Sequence, residues 1–264
     1  MTDASGSATF RTSADAYDRH IGRYGPELAR ALCDAAGVRS GATAIDVGCG
    51  PGALTAELVH RLGASCVAAA DPSPPYAEAC RERFPGVQVE HAPAEGLPFG
   101  DGEFDHALAQ LVVNFMTDAQ AGVREMARVT RGRGTVGAAV WDYAGEMTLL
   151  RRFWDAAVAR DPAAAELDEG RCMAYCTPDE LGGLWSTVGL EDVAVTEAVV
   201  GADYDNFADL WSPLEAGVGP SGAYVLSLAP EDRATFRDEV RRRLDAGDGP
   251  FRLSARAWIV TGTS

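Results

Sequence analysis

The stretch Asp46-Val47-Gly48-Cys49-Gly50-Pro51-Gly52 closes a short apolar run with an acidic residue and then sets glycine at every second position before a helix-forming segment. Alternating glycines admit positive φ and leave the backbone bare, so a ligand can approach its N–H groups directly. The helix expected to begin near Ala53 offers unpaired N–H groups and a positive dipole end, which suit a carboxylate or a phosphate. The same loop, Gly48 to Ala53, also satisfies the G-x-G-x-x-G/A turn of dinucleotide-binding proteins, so by itself it leaves two cofactor classes open. Asp71 stands about 20 residues further on, at the end of the next strand, where its two oxygens can receive the ribose hydroxyls of either cofactor.

These residues need strands and helices to carry them. Apolar runs predict strands at 43–47, 65–70, 87–91, 105–111 and 134–141, and helical patterns at 53–62, 75–84 and 119–130 fall between them. Such alternation argues for a parallel sheet covered by helices. Residues 13–37 read as one or two helices ahead of the sheet. Thr177-Pro178-Asp179-Glu180 has the form of a capped helix start, followed by strands at 193–200 and 253–260 and a charged helix at 230–244. One domain over 1–264 is expected, with a cofactor-binding core at 13–142. The segments 143–176 and 202–250 exceed a minimal sheet and gather aromatics, among them Tyr143, Phe153, Trp154, Tyr175, Tyr204, Phe207, Trp211 and Tyr224. They are expected to form a lid with an apolar pocket beneath it.

Downstream of the glycine loop comes a second signature, Ala94-Glu95-Gly96-Leu97-Pro98-Phe99 followed by Phe104-Asp105. In this order and spacing, the two segments resemble class I S-adenosylmethionine-dependent methyltransferases, and more narrowly the small-molecule group of ubiquinone/menaquinone-biosynthesis type. The resemblance runs from about Tyr17 to Asp142. It implies an α/β, Rossmann-like, seven-stranded, mostly parallel sheet with helices on both faces and an inserted helical lid, the last strand antiparallel in a hairpin-like edge. The implied cofactor is S-adenosylmethionine, with S-adenosylhomocysteine as product. Its carboxylate end would lie against Gly48, Cys49, Gly50 and Gly52, with Asp46 near the ammonium. Asp71 and Pro72 would hold the ribose, Ala94 and Glu95 the adenine, and Gln110 and Leu111 the methionine part. Pro93 stands where the family often has an aspartate, which leaves adenine contacts to Glu95 or the backbone. Tyr17 would close over the sulfonium and Arg23 would pair with the carboxylate.

Methyl transfer from a sulfonium is an in-line displacement with a neutral leaving group, so it can rest on alignment and exclusion of water. A base is needed only where the acceptor must lose a proton; His20 and Asp142 are the candidates, while His60, His91 and His106 read as structural. Asn114, Trp141 and Tyr143 follow the carboxyl ends of strands, where ligands collect in open α/β sheets, and are the expected acceptor contacts. A net charge of −16 over 264 residues, with no lysine, disfavours nucleic acid and anionic membrane surfaces. The missing lysine also removes the commonest short-chain form of the competing reading, an NAD-dependent oxidoreductase. A non-enzymatic cofactor-binding regulator is the third reading. The six cysteines are expected to be reduced, and Cys172 and Cys176 lack the partners of a zinc site, so no metal is expected. With no apolar run long enough to span a bilayer, the expectation is a cytoplasmic enzyme of secondary metabolism acting on a small apolar or aromatic metabolite.

Overall fold

Strands buried on both faces read as near-continuous runs of apolar or small residues, and β1 (Ala44–Val47) and β2 (Val67–Asp71), apolar apart from Asp46 and Asp71, are buried along their whole length in the computed structural model. It describes residues 18–264, so the Tyr17 expectation lies outside the described residues. The other strands are β3 (Gln88–His91), β4 (Phe104–Gln110), β5 (Thr130–Trp141), β6 (Glu191–Tyr204) and β7 (Phe251–Thr263). They form one seven-stranded sheet in the order β3-β2-β1-β4-β5-β7-β6. The pairs from β3 through β5 are parallel, whereas β7 runs antiparallel to both β5 and β6. The expected seven-stranded, mostly parallel, Rossmann-like sheet with an antiparallel last strand is what the chain forms. Its order reverses at β1 and β4, which puts a crevice at the carboxyl ends of these strands.

Helices α1 (Gly25–Ala35), α2 (Ala53–Leu62), α3 (Pro74–Arg83) and α4 (Ala119–Val129) accompany the parallel strands. Between β5 and β6 lie α5 (Thr148–Arg160), the short α6 (Glu169–Cys172) and α7 (Pro178–Val188). Between β6 and β7 lie α8 (Phe207–Glu215), α9 (Gly219–Ser227) and α10 (Pro230–Arg243). No helix among the described residues is long and apolar enough to cross a membrane.

Three strands run longer than their sequence patterns predict. β5 begins at Thr130 rather than near residue 134, because a register shift after the Phe104 to Thr130 pair absorbs the exposed Arg131-Gly132-Arg133 before pairing resumes at Thr135. β6 and β7 extend beyond the sheet as a two-stranded ribbon down to the Tyr204 to Phe251 pair. Residues 202–204 therefore belong to β6 and not to the second insertion. Ala202 and Tyr204 are buried while Asp203 between them is exposed, as period-two alternation requires.

The two insertions pack together into one helical cap. Phe153 of α5 meets Phe236 of α10 with ring centroids 5.1 Å apart and Tyr224 of α9 at 5.9 Å, and Trp211 of α8 completes the cluster against Phe236 at 6.1 Å. Edge-to-face pairs of this kind add to area burial. A bidentate ion pair fixes the start of α6 to α5: Arg151 Nη1 and Nη2 donate to the two oxygens of the buried Asp168 at 3.0 and 2.7 Å. Most of the aromatics gathered in the insertions are buried in packing: Phe153, Trp154, Phe207 and Trp211 within the cap, and Tyr204 against Phe251 in the ribbon.

α7 starts as its sequence predicts, with Thr177 Oγ1 accepting from the Glu180 N–H at 3.3 Å and Pro178 in the first turn. It is tied to the sheet by the buried Trp185, whose Nε1 donates to the Val136 carbonyl at 3.0 Å. Trp185→Phe should leave that carbonyl without its partner and open space at the helix–sheet seam, lowering stability by about 2 to 3 kcal/mol. Urea unfolding checks this; an unchanged midpoint would show that the indole bond contributes nothing.

Candidate functional site

The loop after β1 folds under tight backbone control. The N–H groups of Gly48 and Cys49 both donate to the Ala70 carbonyl at the end of β2, at 2.7 and 3.0 Å. Gly48 has φ +73°, and a Cβ there would lie 2.5 Å from Val112; Gly52 has φ +101°, and a Cβ there would lie 2.3 Å from the Phe84 ring. Neither position can carry a side chain without displacing its neighbour. Gly50 donates its N–H to Asp71 Oδ2 at 2.8 Å, and Ser73 donates to Asp71 Oδ1 at 2.8 Å. Each carboxylate oxygen thus keeps acceptor capacity for a ligand, although burial pushes the Asp71 carboxyl above its usual range.

Gly48, Gly50, Asp71, Pro72, Ala94, Glu95, Gln110 and Leu111 line one cleft, about 870 Å³ when counted out to open solvent. Glu95 is held at its lip, where Oε1 accepts from the Asp118 N–H at 3.1 Å. Gln110 donates Nε2 to the Gly25 carbonyl at 3.3 Å, while its Oε1 is buried without a partner among the described residues. Such an acceptor suits a ligand ammonium. Tyr76, Phe115, Met116 and Thr117 also border the cleft, and no periodic signal in the sequence marks them.

Other expected cofactor residues lie elsewhere. Asp46 is fully buried beneath the loop, with Oδ2 accepting from Thr55 Oγ1 at 2.6 Å and Oδ1 without a partner among the described residues. Burial pushes its carboxyl up to about 7. Cys49 is buried against Cys80, and Gly52 sits against Phe84; both shape the loop from below. Arg23 is engaged with the β6–β7 ribbon: it pairs with Asp209, donates to the Asp203 carbonyl at 3.0 Å and lies 4.9 Å over the Tyr204 ring.

A second, partly open cavity, about 440 Å³ when counted out to open solvent, adjoins the first and is bordered by His20, Trp141, Tyr143, Glu169, Leu111 and Phe115, with the α9 start around Gly219 completing it. Leu111 and Phe115 belong to both spaces. Leu111 has φ +63°, a left-handed conformation costly for a leucine, and its N–H donates to the Ala139 carbonyl at 2.8 Å. Burial, helped by the Arg23 charge, lowers His20 to about 4, so its imidazole is neutral at physiological pH. Trp141 Nε1 is a buried donor with no partner among the described residues.

Of the expected acceptor contacts, Trp141 and Tyr143 border this cavity and Asn114 does not; its Nδ2 faces Met173 Sδ at 3.7 Å. Asp142, the second candidate base, also faces away. Its carboxylate accepts from Arg256 at 2.7 and 3.0 Å and from the N–H groups of Gly145 and Glu146 at 3.1 and 3.0 Å, so it organises a turn. Glu169 escapes the sequence reading. An acid in the first turn of a helix ordinarily faces solvent and helps the dipole, and only the packing of α6 beneath the cap turns this one inward. Its Oε2 accepts from the buried Trp154 Nε1 at 2.9 Å, and burial pushes its carboxyl up to about 7. Among the described residues no cluster of three His, Cys, Asp or Glu side chains is arranged to hold a metal.

Residues 45–137 match the methyltransferase domain family model. The Mycobacterium tuberculosis protein Rv1405c is 28% identical over 210 residues, which cover 76% of each chain. The malonyl-acyl-carrier-protein O-methyltransferase of Pseudescherichia vulneris is 29% identical over 190 residues, 72% of each. Among solved structures, the Bacillus subtilis YcgJ protein shares the fold with a TM-score of 0.55 at 17% identity, covering 89% of this chain and 97% of that one. The Haemonchus contortus phosphoethanolamine N-methyltransferase 2, solved with S-adenosylhomocysteine, does so with a TM-score of 0.59 at 12% identity, over 95% and 56%.

The buried Asp46 carboxyl has a folded-state value of about 7 against an ordinary 3.8. The folded chain therefore holds a proton that the unfolded chain has lost, and the resulting stability, full below pH 4, disappears as pH rises through 7. Asp46→Asn keeps an oxygen for Thr55 and cannot ionise. Between pH 5 and pH 8 it should gain about 2 kcal/mol relative to the parent chain, read from urea unfolding at both pH values; parallel pH profiles would contradict the assignment.

Proposed function

We propose that this class I S-adenosylmethionine-dependent methyltransferase transfers the methyl group to a small, largely apolar metabolite held in the second cavity beneath the helical cap. The observation that carries this reading is the shared wall: Leu111 and Phe115 border both the cofactor cleft and the second cavity, so two bound molecules would meet at these residues. The cleft fits the cofactor. Asp71 presents acceptors to the ribose hydroxyls, Gln110 Oε1 an acceptor to the ammonium, and Ala94 with Glu95 a flat border for the adenine. S-adenosylmethionine supplies a methyl group on a positively charged sulfur, which departs neutral.

The protein's part is then alignment and dryness. The sheet ends hold the two compartments edge to edge, which replaces a bimolecular encounter by a fixed geometry. The cap residues around the cavity, with Leu150 and Val218 among them, exclude water from the reacting atom. A net charge of −16 supports a small-molecule acceptor over a nucleic acid and is compatible with a cytoplasmic enzyme. The atom methylated stays general, since the names of one relative and one structural neighbour refer to O-methyl and N-methyl transfer respectively.

Isothermal titration with S-adenosylhomocysteine, run beside NADH, tests the cofactor. Micromolar or tighter binding of S-adenosylhomocysteine alone is expected; binding of NADH alone would sink the methyltransferase reading. Asp71→Ala should weaken S-adenosylhomocysteine by about 1 to 3 kcal/mol through lost charge-assisted hydrogen bonds. An unaltered affinity would overturn the placement of the ribose.

A further inference from the structure

The polar side chains around the second cavity are few, and Glu169 is the one acidic group among the described residues that border it. His20 is an uncharged imidazole there, Trp141 offers a buried N–H with no partner among the described residues, and Glu169 offers a carboxyl. No arginine is among the described residues bordering the cavity, and the chain has no lysine. The guanidinium beside α6, that of Arg151, is committed to Asp168 and to Asp155 at 3.0 Å, and Arg23 is committed to Asp209. A bound anion would therefore face the Glu169 carboxyl with no side-chain cation to offset it, in a partly enclosed space.

We propose that Glu169 is the specificity-determining residue of the acceptor cavity and that it selects a neutral, ring-bearing alcohol or phenol over any carboxylate of the same shape. The proposal rests on the reading that this cavity holds the methyl acceptor. Glu169 is only 4% exposed, and its Oε2 is fixed by the Trp154 N–H, so the carboxyl has little freedom to swing away. A hydroxyl both donates and accepts: it can donate to Glu169 and accept from Trp141 Nε1–H, satisfying the buried donor that is otherwise unpaired. A carboxylate ligand can only accept, so at about pH 8, above the raised Glu169 carboxyl, it satisfies Trp141 while opposing an ionised Glu169. Most of the rest of the lining is apolar, supplied by Ile21, Leu111, Phe115, Leu150 and Val218, with Tyr143 and the buried Ser221 as its other hydroxyl-bearing residues, which suits a ring carrying few polar groups and not a sugar or a polyamine.

The test is calorimetry at about pH 8 on the full chain loaded with S-adenosylhomocysteine, using 2-naphthol and 2-naphthoate as probes of equal ring size and different charge. The parent protein should bind 2-naphthol at least about tenfold tighter than 2-naphthoate. Glu169→Gln keeps an oxygen for Trp154 and should shrink that gap to about threefold or less, chiefly by tightening 2-naphthoate. As a second variant, Trp141→Phe should weaken 2-naphthol several-fold without rescuing 2-naphthoate. Equal binding of the two probes by the parent, a gap unchanged in Glu169→Gln, or binding of neither probe would overturn the assignment. Failure of S-adenosylhomocysteine to load would instead overturn the cofactor reading beneath it, which separates the two failures.

Discussion

The site depends on how two neighbouring strands end. The Ala70 carbonyl at the end of β2 gathers the N–H groups of Gly48 and Cys49, and one residue later Asp71 gathers those of Gly50 and Ser73. Four backbone donors from two loops thus converge on consecutive residues of one strand. This arrangement sets the loop path, and the path forces Gly48 against Val112 and Gly52 against Phe84 with no room for a Cβ. The start of α2, the floor of the cleft and the position of Asp71 all follow from that closure. Because the donors belong to the backbone, the arrangement depends little on which side chains the loop carries, apart from its glycines.

A chain with a large net negative charge nevertheless builds its interior compartments from groups that burial drives toward neutrality. Asp46 beneath the loop, Asp71 at its edge and Glu169 under the cap are all raised by desolvation, and His20 is lowered by the same cause. The arginines that could have offset these carboxyls are paired at the surface or within the cap, as Arg151 is with Asp168 and Arg256 with Asp142. Surface charge and site charge are therefore separate properties here.

Much of this architecture was legible in the sequence, and the limits have physical reasons. The alternation of apolar runs and helical patterns specified the parallel half of the sheet because buried parallel strands leave an unmistakable mark. The cleft residues Gly48, Gly50, Asp71, Glu95 and Gln110 were legible for a related reason: each sits at a strand's carboxyl end or in the loop that follows it, where sequence position and spatial position run together. Arg23 and Asp142 looked available because charged residues near strand ends and helix starts usually are. Their partners, Asp209 and Arg256, lie far along the chain on elements of the cap and the ribbon, and no local pattern announces such pairs. Glu169 was invisible for the opposite reason, since its local pattern correctly marks a helix start and only tertiary packing turns it inward.

The partition formed by Leu111 and Phe115 has a consequence for how such a protein can change. A residue that serves two compartments cannot be altered for one without disturbing the other, and Leu111 is further constrained by its left-handed backbone. On the proposed reading, the freedom to accommodate a new acceptor resides on the other wall, in α6 and the start of α9, which do not border the cofactor cleft. On that reading the fold sets a half fixed by geometry beside an adaptable half within one small volume, so descendants of this chain could change what they modify while keeping what they modify it with.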